Sequence, residues 1–325
     1  MNRNVIIFHS EVPPGAPPDE LDVLDEAAFV AEVLASMGYN AIAMPFTFSI
    51  DQTIAEINRV KPVFVFNLVE TMGGDGRLVS IAPSIFDHIH MRYTGCSSQA
   101  NYFTSNKMLS KKLMRLNSIP TPEAIGVYDA LPEGERKYIV KSLWEHASVG
   151  LDEHSFSLLA TTAEVKERLE AHRLTGKEFF AEEYIHGREF NISLLQSAME
   201  AEVLPVAEIK FHDYPGDKPW IVGYRAKWDT GSFEYTHTVR EFVDEDVESE
   251  LCSRLKEISL RCWHDFRLSG YARVDFRVDD SGNPYVLEIN TNPCISPDGG
   301  FMAASRQVGY TSSQVIERIV EAALV

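Results

Sequence analysis

Two short segments near the C-terminus alternate strictly between apolar and polar residues and are separated by a tight turn. The first segment, residues 271–278, places Asp275 and two arginines on the face opposite its valines and phenylalanine. The second, residues 285–290, has Glu288 on its polar face and Leu287 on its apolar face. The sequence Asp-Asp-Ser-Gly-Asn between them is typical of a turn. A period of two predicts an antiparallel β-hairpin, and this pairing restricts the fold more than any other feature of the chain.

The predicted register of this hairpin brings two carboxylates together. With the turn centred in the Asp-Asp-Ser-Gly-Asn segment, Asp275 lies directly opposite Glu288, and Arg273 lies opposite Asn290. Like charges opposite each other destabilise a sheet, so a cation between the carboxylates would account for the pattern. Oxygen ligands without His or Cys favour Mg²⁺ or Mn²⁺, and Asn290 adds a third oxygen on the same face. Alternatively, Arg273 and Arg277 neutralise the two carboxylates on a solvated face.

The first seventy residues alternate between apolar strands and helical segments. Strands are predicted at residues 5–8, 40–45 and 63–68, and apolar residues recur at helical spacing over residues 21–34. This order implies a small parallel sheet covered on both faces. Further along, β-rich segments alternate with occasional helices, which indicates a mixed α+β body.

One helix of the middle region is predicted to begin after Ser105 as its N-cap and to end before Pro120. Its apolar face is predicted to consist of Met108, Leu113 and Leu116. A chain of 325 residues exceeds the usual size of one hydrophobic core, so two or three packed units are expected.

Composition narrows the range of partners. The chain has 48 acidic and 30 basic residues and a net charge of -18, which argues against a nucleic-acid partner. Its four cysteines form no C-x-x-C pair, as is typical of reduced thiols in the cytosol. We find neither a signal-peptide core nor about eighteen consecutive apolar residues. We therefore expect a cytoplasmic protein without a membrane partner.

The hairpin motif, Arg273-x-Asp275 followed by Glu288-x-Asn290-Thr-Asn-Pro, resembles the closing metal motif of ATP-grasp ligases. In order and spacing it is most similar to the D-alanine–D-alanine ligases. The resemblance extends over nearly the whole chain through further motifs: Gly73-Gly74-Asp75-Gly76, Tyr93-Thr94-Gly95, Asn106-Lys107, Val140-Lys141, Ser148-Val149-Gly150 and Glu182-Glu183-Tyr184-Ile185-x-Gly187-x-Glu189.

This resemblance implies a fold that combines α/β and α+β architecture. An N-terminal pre-ATP-grasp domain of the Rossmann-like type would occupy residues 1–103. Two α+β subdomains, residues 104–183 and 184–325, would hold ATP between them, with the metal site in the second.

The resemblance also implies a role for each matching residue. ATP phosphates would be bound by Lys107 and Lys141, the ribose by Glu189, and the adenine by the pocket residues Glu182, Glu183, Tyr184 and Ile185. The loop residues Ser148, Val149 and Gly150 would close over the phosphates. The metal ligands would be Asp275, Glu288 and Asn290, and the catalytic residues would be Arg273, Lys227 and Ser148.

The implied reaction is an ADP-forming ligation of a carboxylate to an amine through an acyl phosphate. Arg273 would stabilise the transferred phosphoryl group and then the tetrahedral oxyanion. The substrates would be small molecules, such as amino acids or peptides, and relatives of this type often form homodimers. Two alternatives are an ATP-grasp kinase that releases a phosphorylated product and an ATP-binding regulatory protein that has lost turnover.

Several positions on the substrate side differ from the resembled ligases. Ala147 stands where a serine hydroxyl is expected, after His146, and Trp228 stands where a tyrosine is expected. Gly299 and Gly300 replace larger residues near the site of the second substrate and are expected to leave room there. The neighbouring Asp298 favours an amine over a further carboxylate. We therefore expect that D-alanine dimerisation is not the main activity.

Overall fold

A computed structural model of the protein describes residues 3–134, 136–144, 162–198, 200–216 and 218–325. Its strands are β1 (Asn4–Ser10), β2 (Asn40–Phe46), β3 (Phe64–Leu68), β4 (Ala124–Ile125), β5 (Tyr138–Ser142), β6 (Phe179–Glu183), β7 (Arg188–Ser197), β8 (Glu200–Val203), β9 (Ala207–Phe211), β10 (Thr238–Phe242), β11 (Tyr271–Val278) and β12 (Pro284–Asn290). Its helices are α1 (Pro18–Ser36), α2 (Ile50–Val60), α3 (Ile81–His88), α4 (Ser98–Ser105), α5 (Lys107–Leu116), α6 (Thr162–Leu174), α7 (Tyr224–Trp228), α8 (Phe233–His237), α9 (Ser249–Asp265), α10 (Gly300–Gln307) and α11 (Ser312–Leu324).

The N-terminal sheet is parallel, with strand order β2-β1-β3, and confirms the predicted alternation of strands and helices. Its central strand is buried on both faces: Ile7 packs in one core and Ile6 in another. The first of these cores also contains Ile316 and Ile319 from α11, the last helix of the chain. The C-terminus therefore returns to the first sheet, and the segment that follows β12 lies beside α1.

A second sheet, with strand order β4-β6-β5, is antiparallel and is covered by α6. Tyr138 and Val140 of β5 pack there against Val165 and Leu169 of the helix. Lys141, near the end of β5, lies within electrostatic reach of Glu189 on β7.

The third sheet has strand order β10-β9-β7-β11-β12, with β8 paired to β7, and every pairing in it is antiparallel. The apolar face of β11, with Val274 and Phe276 fully buried, packs against Leu255 and Cys262 of α9. The opposite, polar face of β11 faces the second sheet.

The three sheets follow one another along the chain in the order of the three predicted domains. The limits of these domains stay predictions.

The helix predicted after Ser105 differs from the observed one. Ser105 ends α4, and Asn106 caps α5 by accepting a hydrogen bond from the backbone N–H of Leu109 at 2.9 Å. The buried residues of α5 are Ser110, Lys111 and Met114, whereas Leu116 is 80% exposed. The predicted apolar face was therefore wrong for Leu116, whereas Leu113 packs against the edge of the core. A lysine lies on the buried side of the helix.

All four cysteines are free thiols. Across the ranges that the structure describes, we find no helix that is both long and apolar enough to cross a membrane.

Candidate functional site

The two carboxylates of the β11–β12 hairpin lie opposite each other, as predicted. Asp275 pairs with Glu288, and Arg273 pairs with Asn290. Arg273 donates to both oxygens of Asp275, at 2.7 and 2.8 Å. The side-chain amides of Asn191, on β7, and Asn290 donate to the same carboxylate at 2.8 and 3.0 Å. Four N–H donors therefore fix the orientation of Asp275 at the centre of the sheet.

A β-bulge directly follows this pair and changes the rest of the hairpin. Phe276 pairs with Val286, so one residue of β12 is skipped. Val286 is consequently fully buried, and the prediction that Leu287 points into the core was wrong, because Leu287 is only half-buried. The carbonyl oxygen of Leu287 accepts a hydrogen bond from Lys111 Nζ at 3.0 Å. The bulge thus ties the metal-motif strand to α5.

The donor set of the hairpin fits a hard divalent cation. In the described part of the chain, no group of three His, Cys, Asp or Glu side chains could hold a metal ion. A cation here would be bound by Asp275, Glu288 and the amide oxygen of Asn290, with water and phosphate oxygens completing its shell, as Mg²⁺ prefers. The alternative that arginine neutralises the carboxylates is also partly observed, since Arg273 forms an ion pair with Asp275.

Arg277, two residues further along β11, binds a different carboxylate. It forms an ion pair with Glu189 at 3.0 Å and donates to the carbonyl oxygens of Gly187, at 2.8 Å, and Trp220. Burial raises the pKa of Glu189, and Arg277 opposes that shift. Gly187 has a φ of 138°, and a Cβ there would lie 2.0 Å from the carbonyl oxygen of Val278. Glycine is therefore required where the chain enters β7.

Glu182, predicted to line the adenine pocket, lies between two lysines. Lys111 Nζ is 2.6 Å from one carboxylate oxygen, and Lys141 Nζ binds the other. Lys111 also donates to Thr121 Oγ1 at 3.0 Å. Burial lowers the pKa of Lys111, whereas the two lysines outweigh burial and hold the pKa of Glu182 below its usual value. The predicted ATP-binding pair, Lys141 and Glu182, is therefore part of a three-residue ion network. Its buried lysine, Lys111, was not identified from the sequence.

The other predicted nucleotide-binding residues surround this network. Glu183 forms an ion pair with Arg136 at 3.0 Å, and the hydroxyl of Tyr184 accepts a hydrogen bond from the backbone N–H of Trp220 at 3.2 Å. Ile185 is half-buried between β6 and β7. Lys107 is the first residue of α5, and its backbone N–H donates to the carbonyl of Leu143 at 3.2 Å.

The predicted phosphate loop lies outside the described residues. This applies to His146, Ala147, Ser148, Val149 and Gly150. Their predicted roles stay predictions from the sequence.

Lys227 lies on α7 within the electrostatic reach of the hairpin. Burial, and then the nearby Arg273, lower the pKa of its ammonium group, while Glu288, Asp275 and Glu189 act in the opposite direction. The structure thus brings the predicted catalytic lysine together with the predicted catalytic arginine and both carboxylates.

The helix that carries Lys227 is attached to the N-terminal region. The hydroxyl of Tyr224 donates to Asp19 Oδ1, on α1, at 2.8 Å. In the same helix, the indole N–H of Trp228 is buried and has no hydrogen-bond partner among the described residues.

An acidic cluster, which we define as Asp22, Glu26 and Glu70, lies where α1, the end of β3 and the segment after β12 meet. Glu26 accepts a hydrogen bond from the backbone N–H of Ile295 at 2.6 Å, and the thiol of Cys294 lies 3.2 Å from Asp22 Oδ2. No sequence motif indicated this cluster.

The three carboxylates influence one another and reach the catalytic arginine. Burial raises the pKa of all three. For Glu70 the pKa is about 7, with Asp22 raising it further and Arg273 lowering it. The acidic cluster therefore lies within electrostatic reach of Arg273, and it suits a cationic group.

The two glycines after the hairpin do not enlarge the site. A Cβ on Gly299 would lie 2.9 Å from the carbonyl oxygen of Ser296 and 3.1 Å from that of Cys294. A Cβ on Gly300 would lie 2.9 Å from Nη1 of Arg240. The expectation that these glycines leave room for a larger acceptor was wrong, because the main chain and an arginine fill the space.

Comparison with known proteins gives consistent matches. Residues 136–321 match the family model described as D-ala D-ala ligase C-terminus. The chain is 29% identical over 269 residues to the uncharacterized protein y4sG of Sinorhizobium fredii. This alignment covers 80% of this chain and 74% of that protein. It is 27% identical over 273 residues to a D-alanine–D-alanine ligase of Synechococcus, covering 80% of this chain and 76% of the relative.

Among solved structures, the D-alanine–D-alanine ligase of Bacillus anthracis in complex with ATP superposes with a TM-score of 0.73 at 20% identity. The match covers 99% of this chain and 97% of the ligase. It confirms the predicted fold class, the ATP-grasp fold with its mixed α/β and α+β architecture.

Proposed function

The chain belongs to the D-alanine–D-alanine ligase family, and from that premise we propose that it is an ADP-forming ligase that joins a carboxylate to an amine through an acyl phosphate. The observation that carries this proposal is the pair Asp275 and Glu288, held opposite each other beside Arg273 and Lys227. A protein that only binds ATP has no need for two carboxylates and two cations around one reaction centre. The substrates would be amino acids or peptides.

The nucleotide would bind along the ion network of the second sheet. Lys141 lies near the end of its strand at 16% side-chain exposure, so its ammonium group borders the cleft while Lys111 is sealed beneath it. Lys141 and Lys107 would then bind the phosphates as point charges. Glu189, oriented by Arg277, would accept hydrogen bonds from the ribose hydroxyls.

A divalent metal ion, which we propose to be Mg²⁺ or Mn²⁺, would be bound by Asp275, Glu288 and Asn290. It would neutralise the negative charge of the phosphates. The other roles in the reaction belong to protein side chains. Arg273 is oriented by its two hydrogen bonds to Asp275, so its remaining guanidinium N–H groups would bind the transferred phosphoryl group and then the tetrahedral oxyanion. Lys227, whose ammonium pKa is lowered by burial, would contact the γ-phosphate from the other side.

The acidic cluster supports substrates that carry an ammonium group. Three carboxylates with raised pKa values are poorly stable together without a cation, and an ammonium group would restore their charged forms. Glu70 lies close enough to Arg273 for the arginine to lower its pKa, so a bound ammonium group would be near the reacting carboxylate. A cytoplasmic location and a homodimer stay predictions made from the sequence.

The test distinguishes activation of the donor carboxylate by ATP from formation of the amide bond. Purified protein with ATP and Mg²⁺ is given a panel of D- and L-amino acids and dipeptides, first with hydroxylamine and then with a second amino acid. We expect hydroxamate formation in the first case, because hydroxylamine traps acyl phosphates, and a new amide by mass spectrometry in the second, each with release of ADP.

A stable phosphorylated product without amide would indicate a kinase. Binding of ATP without any ADP release across the panel would refute the ligase proposal in favour of a regulatory role. If D-alanyl-D-alanine exceeded every other product, our expectation of different substrates would be wrong, although the ligase chemistry would stand.

A further inference from the structure

Arg277 is a buried arginine on β11 whose contacts extend beyond its carboxylate partner. Its side chain is 4% exposed, and its Nη2 lies 3.0 Å from Oε2 of Glu189. The same nitrogen donates to the carbonyl oxygen of Trp220, while Nη1 donates to that of Gly187 at 2.8 Å. Neutralising Glu189 would require one cation but no contact with the main chain. The two hydrogen bonds to carbonyl oxygens therefore indicate a second role, which is to hold two chain segments beside the proposed ribose carboxylate.

Trp220 is fixed to the nucleotide side of the cleft by its main chain and by its ring. Its backbone N–H donates to the hydroxyl of Tyr184 at 3.2 Å. The indole stacks on Phe211 of β9, with ring centroids 5.9 Å apart, and its centroid lies 5.2 Å from that of His186. The guanidinium of Arg277 lies over the same Phe211 ring, 5.4 Å from its centroid. Arg277 therefore contacts Trp220 directly and also supports the ring on which the indole stacks.

Trp220 closely precedes the helix that carries Lys227. Residues 221–223 separate it from Tyr224, the first residue of α7, and four peptide units span at most about 14 Å. The hydroxyl of Tyr224 donates to Asp19 on α1 at 2.8 Å. The start of α7 is therefore held from both sides of the cleft, by Trp220 on the nucleotide side and by α1 on the side of the acidic cluster. The position of Trp220 thus restricts where Lys227 can lie.

We propose that Arg277 is a positioning residue that holds Lys227 in place for the γ-phosphate of ATP, acting from the ribose end of the nucleotide site. The inference rests on the proposed function for the assignment of the ribose to Glu189 and of the γ-phosphate to Lys227. One nitrogen of Arg277 binds both Glu189 and the carbonyl oxygen of Trp220, so the ribose carboxylate and the segment that leads to Lys227 share one support. Arg277 therefore increases the preference for ATP over ADP, which lacks the γ-phosphate.

The test compares a nucleotide that has a γ-phosphate with one that lacks it. The Kd values of a non-hydrolysable ATP analogue and of ADP are measured by calorimetry with Mg²⁺. Arg277→Lys keeps a cation for Glu189, but it has one nitrogen in place of the two that reach the carboxylate and the carbonyl oxygens. Trp220→Ala keeps the ion pair of Arg277 and removes the ring contacts of the segment. Arg254→Lys is the matched control, because this exposed arginine on α9 donates to the carbonyl oxygen of Gly282.

We expect the native protein to bind the ATP analogue at least about 10-fold more tightly than ADP, since a hydrogen bond between charged groups contributes a factor of this size. Arg277→Lys should reduce this preference by at least about 5-fold. A change shared by both nucleotides cancels in the ratio of the two Kd values. Trp220→Ala should reduce the preference in the same direction, which keeps the test decisive if Arg277→Lys folds poorly. Arg254→Lys should keep the native preference.

A double variant shows whether the effect acts through Lys227. Lys227→Ala should reduce the preference by itself, and adding Arg277→Lys should reduce it by less than about 2-fold more, because the lysine that Arg277 positions is absent. Additive losses would mean that Arg277 acts by another route, which overturns the proposal. So would equal weakening of both nucleotides by Arg277→Lys, an unchanged preference in Trp220→Ala, or a native protein that does not prefer the ATP analogue.

Failure of the ligase proposal is distinguishable from these outcomes, because the binding measurements require no catalysis. If hydroxylamine traps no acyl phosphate but the preference for the ATP analogue depends on Arg277 and Lys227, the positioning role stands and the ligase function fails. If a donor is activated and Arg277→Lys keeps the native preference, the ligase function stands and the positioning role fails.

Discussion

The two sides of the cleft differ in how their charged side chains are arranged. On the nucleotide side, acids and bases pair: Glu182 binds Lys111 and Lys141, and Glu189 binds Arg277. On the substrate side, three carboxylates gather into the acidic cluster. Paired groups hold one arrangement without a ligand, whereas clustered carboxylates are relieved by protonation or by a bound cation. The difference indicates that the nucleotide side is preassembled and that selectivity resides on the substrate side.

The largest expected effect tests the hairpin that divides the two sides. Glu288→Gln removes one proposed metal ligand while keeping the size of the side chain, so ADP release should fall by about 1000-fold or more. The circular dichroism spectrum should be unchanged. Glu257→Gln, at an exposed position on α9, is the control and should keep full activity. Turnover at the native rate in Glu288→Gln would remove the metal assignment.

Asp275→Asn should lose turnover to a similar extent but should also lower the free energy of unfolding. Its carboxylate forms an ion pair with Arg273 and accepts hydrogen bonds from two amides, and the replacement weakens all of them. At this position, the lost ion pair and hydrogen bonds therefore outweigh the relief of cross-strand repulsion with Glu288.

The second effect tests whether the nucleotide side is preassembled. Lys111→Met leaves Glu182, which is 2% exposed, with one cation instead of two. We expect the free energy of unfolding to fall by about 3 kcal/mol, the lower end for breaking a buried pair, because Lys141 remains. The exposed neighbour Lys112→Met should change it by less than about 0.5 kcal/mol. Equal results for the two variants in urea unfolding would contradict a structural role for Lys111.

The third effect separates phosphate binding from adenosine binding. Lys141→Ala deletes the cation at the cleft border, so the Kd of ATP should rise by about 10- to 100-fold, while that of adenosine should change by less than about 3-fold. Titration calorimetry measures both, with the exposed Lys137→Ala as control. If the two ligands lost affinity together, Lys141 would act only through Glu182.

The smallest effect concerns the acidic cluster. Because the pKa of Glu70 rises from 4.5 to about 7 in the folded protein, the folded state keeps a proton that the unfolded state releases between these values. Stability contributed by this group is therefore lost as pH rises through that window. Glu70→Gln should raise the free energy of unfolding by about 1 to 2 kcal/mol at about pH 8 and leave it unchanged near pH 4.

Chemical denaturation at both pH values measures this difference. The exposed Glu32→Gln on α1 should show no pH-dependent gain. A loss of stability in Glu70→Gln at the higher pH would mean that Glu70 is stabilised by a partner, and the contrast between the two sides of the cleft would disappear.

Local patterns allowed the hairpin and the first sheet to be predicted from the sequence. A period of two fixes which residues share a face, and this sufficed to place Asp275 opposite Glu288. The β-bulge could not be predicted, since it depends on the contact between the carbonyl of Leu287 and Lys111, which are distant in sequence. The acidic cluster was missed for the same reason: Glu70 meets Asp22 and Glu26 of α1 only through tertiary packing.

Lys111 was missed because hydrophobicity gave the wrong phase for α5. The leucines of that helix favoured one face, whereas the observed buried face holds Ser110, Lys111 and Met114. A lysine is normally assigned to solvent, and only a buried carboxylate from another strand reverses that preference. The signal that could have indicated it is the acidic pair in an otherwise apolar β6, which requires a cation from elsewhere.

The bulge in the hairpin also limits how this protein can misfold. Without it, pairing could continue in an unbroken register, and a shift of one residue would move Glu288 to the opposite face of the sheet. Such a chain would keep nearly all of its secondary structure while losing the metal ligands. The hydrogen bond from Lys111 is made to the carbonyl oxygen of Leu287, the residue that the bulge leaves out of the pairing. Packing of α5 therefore stabilises the bulged register, and we expect the loss of this hydrogen bond to make register-shifted pairings more frequent.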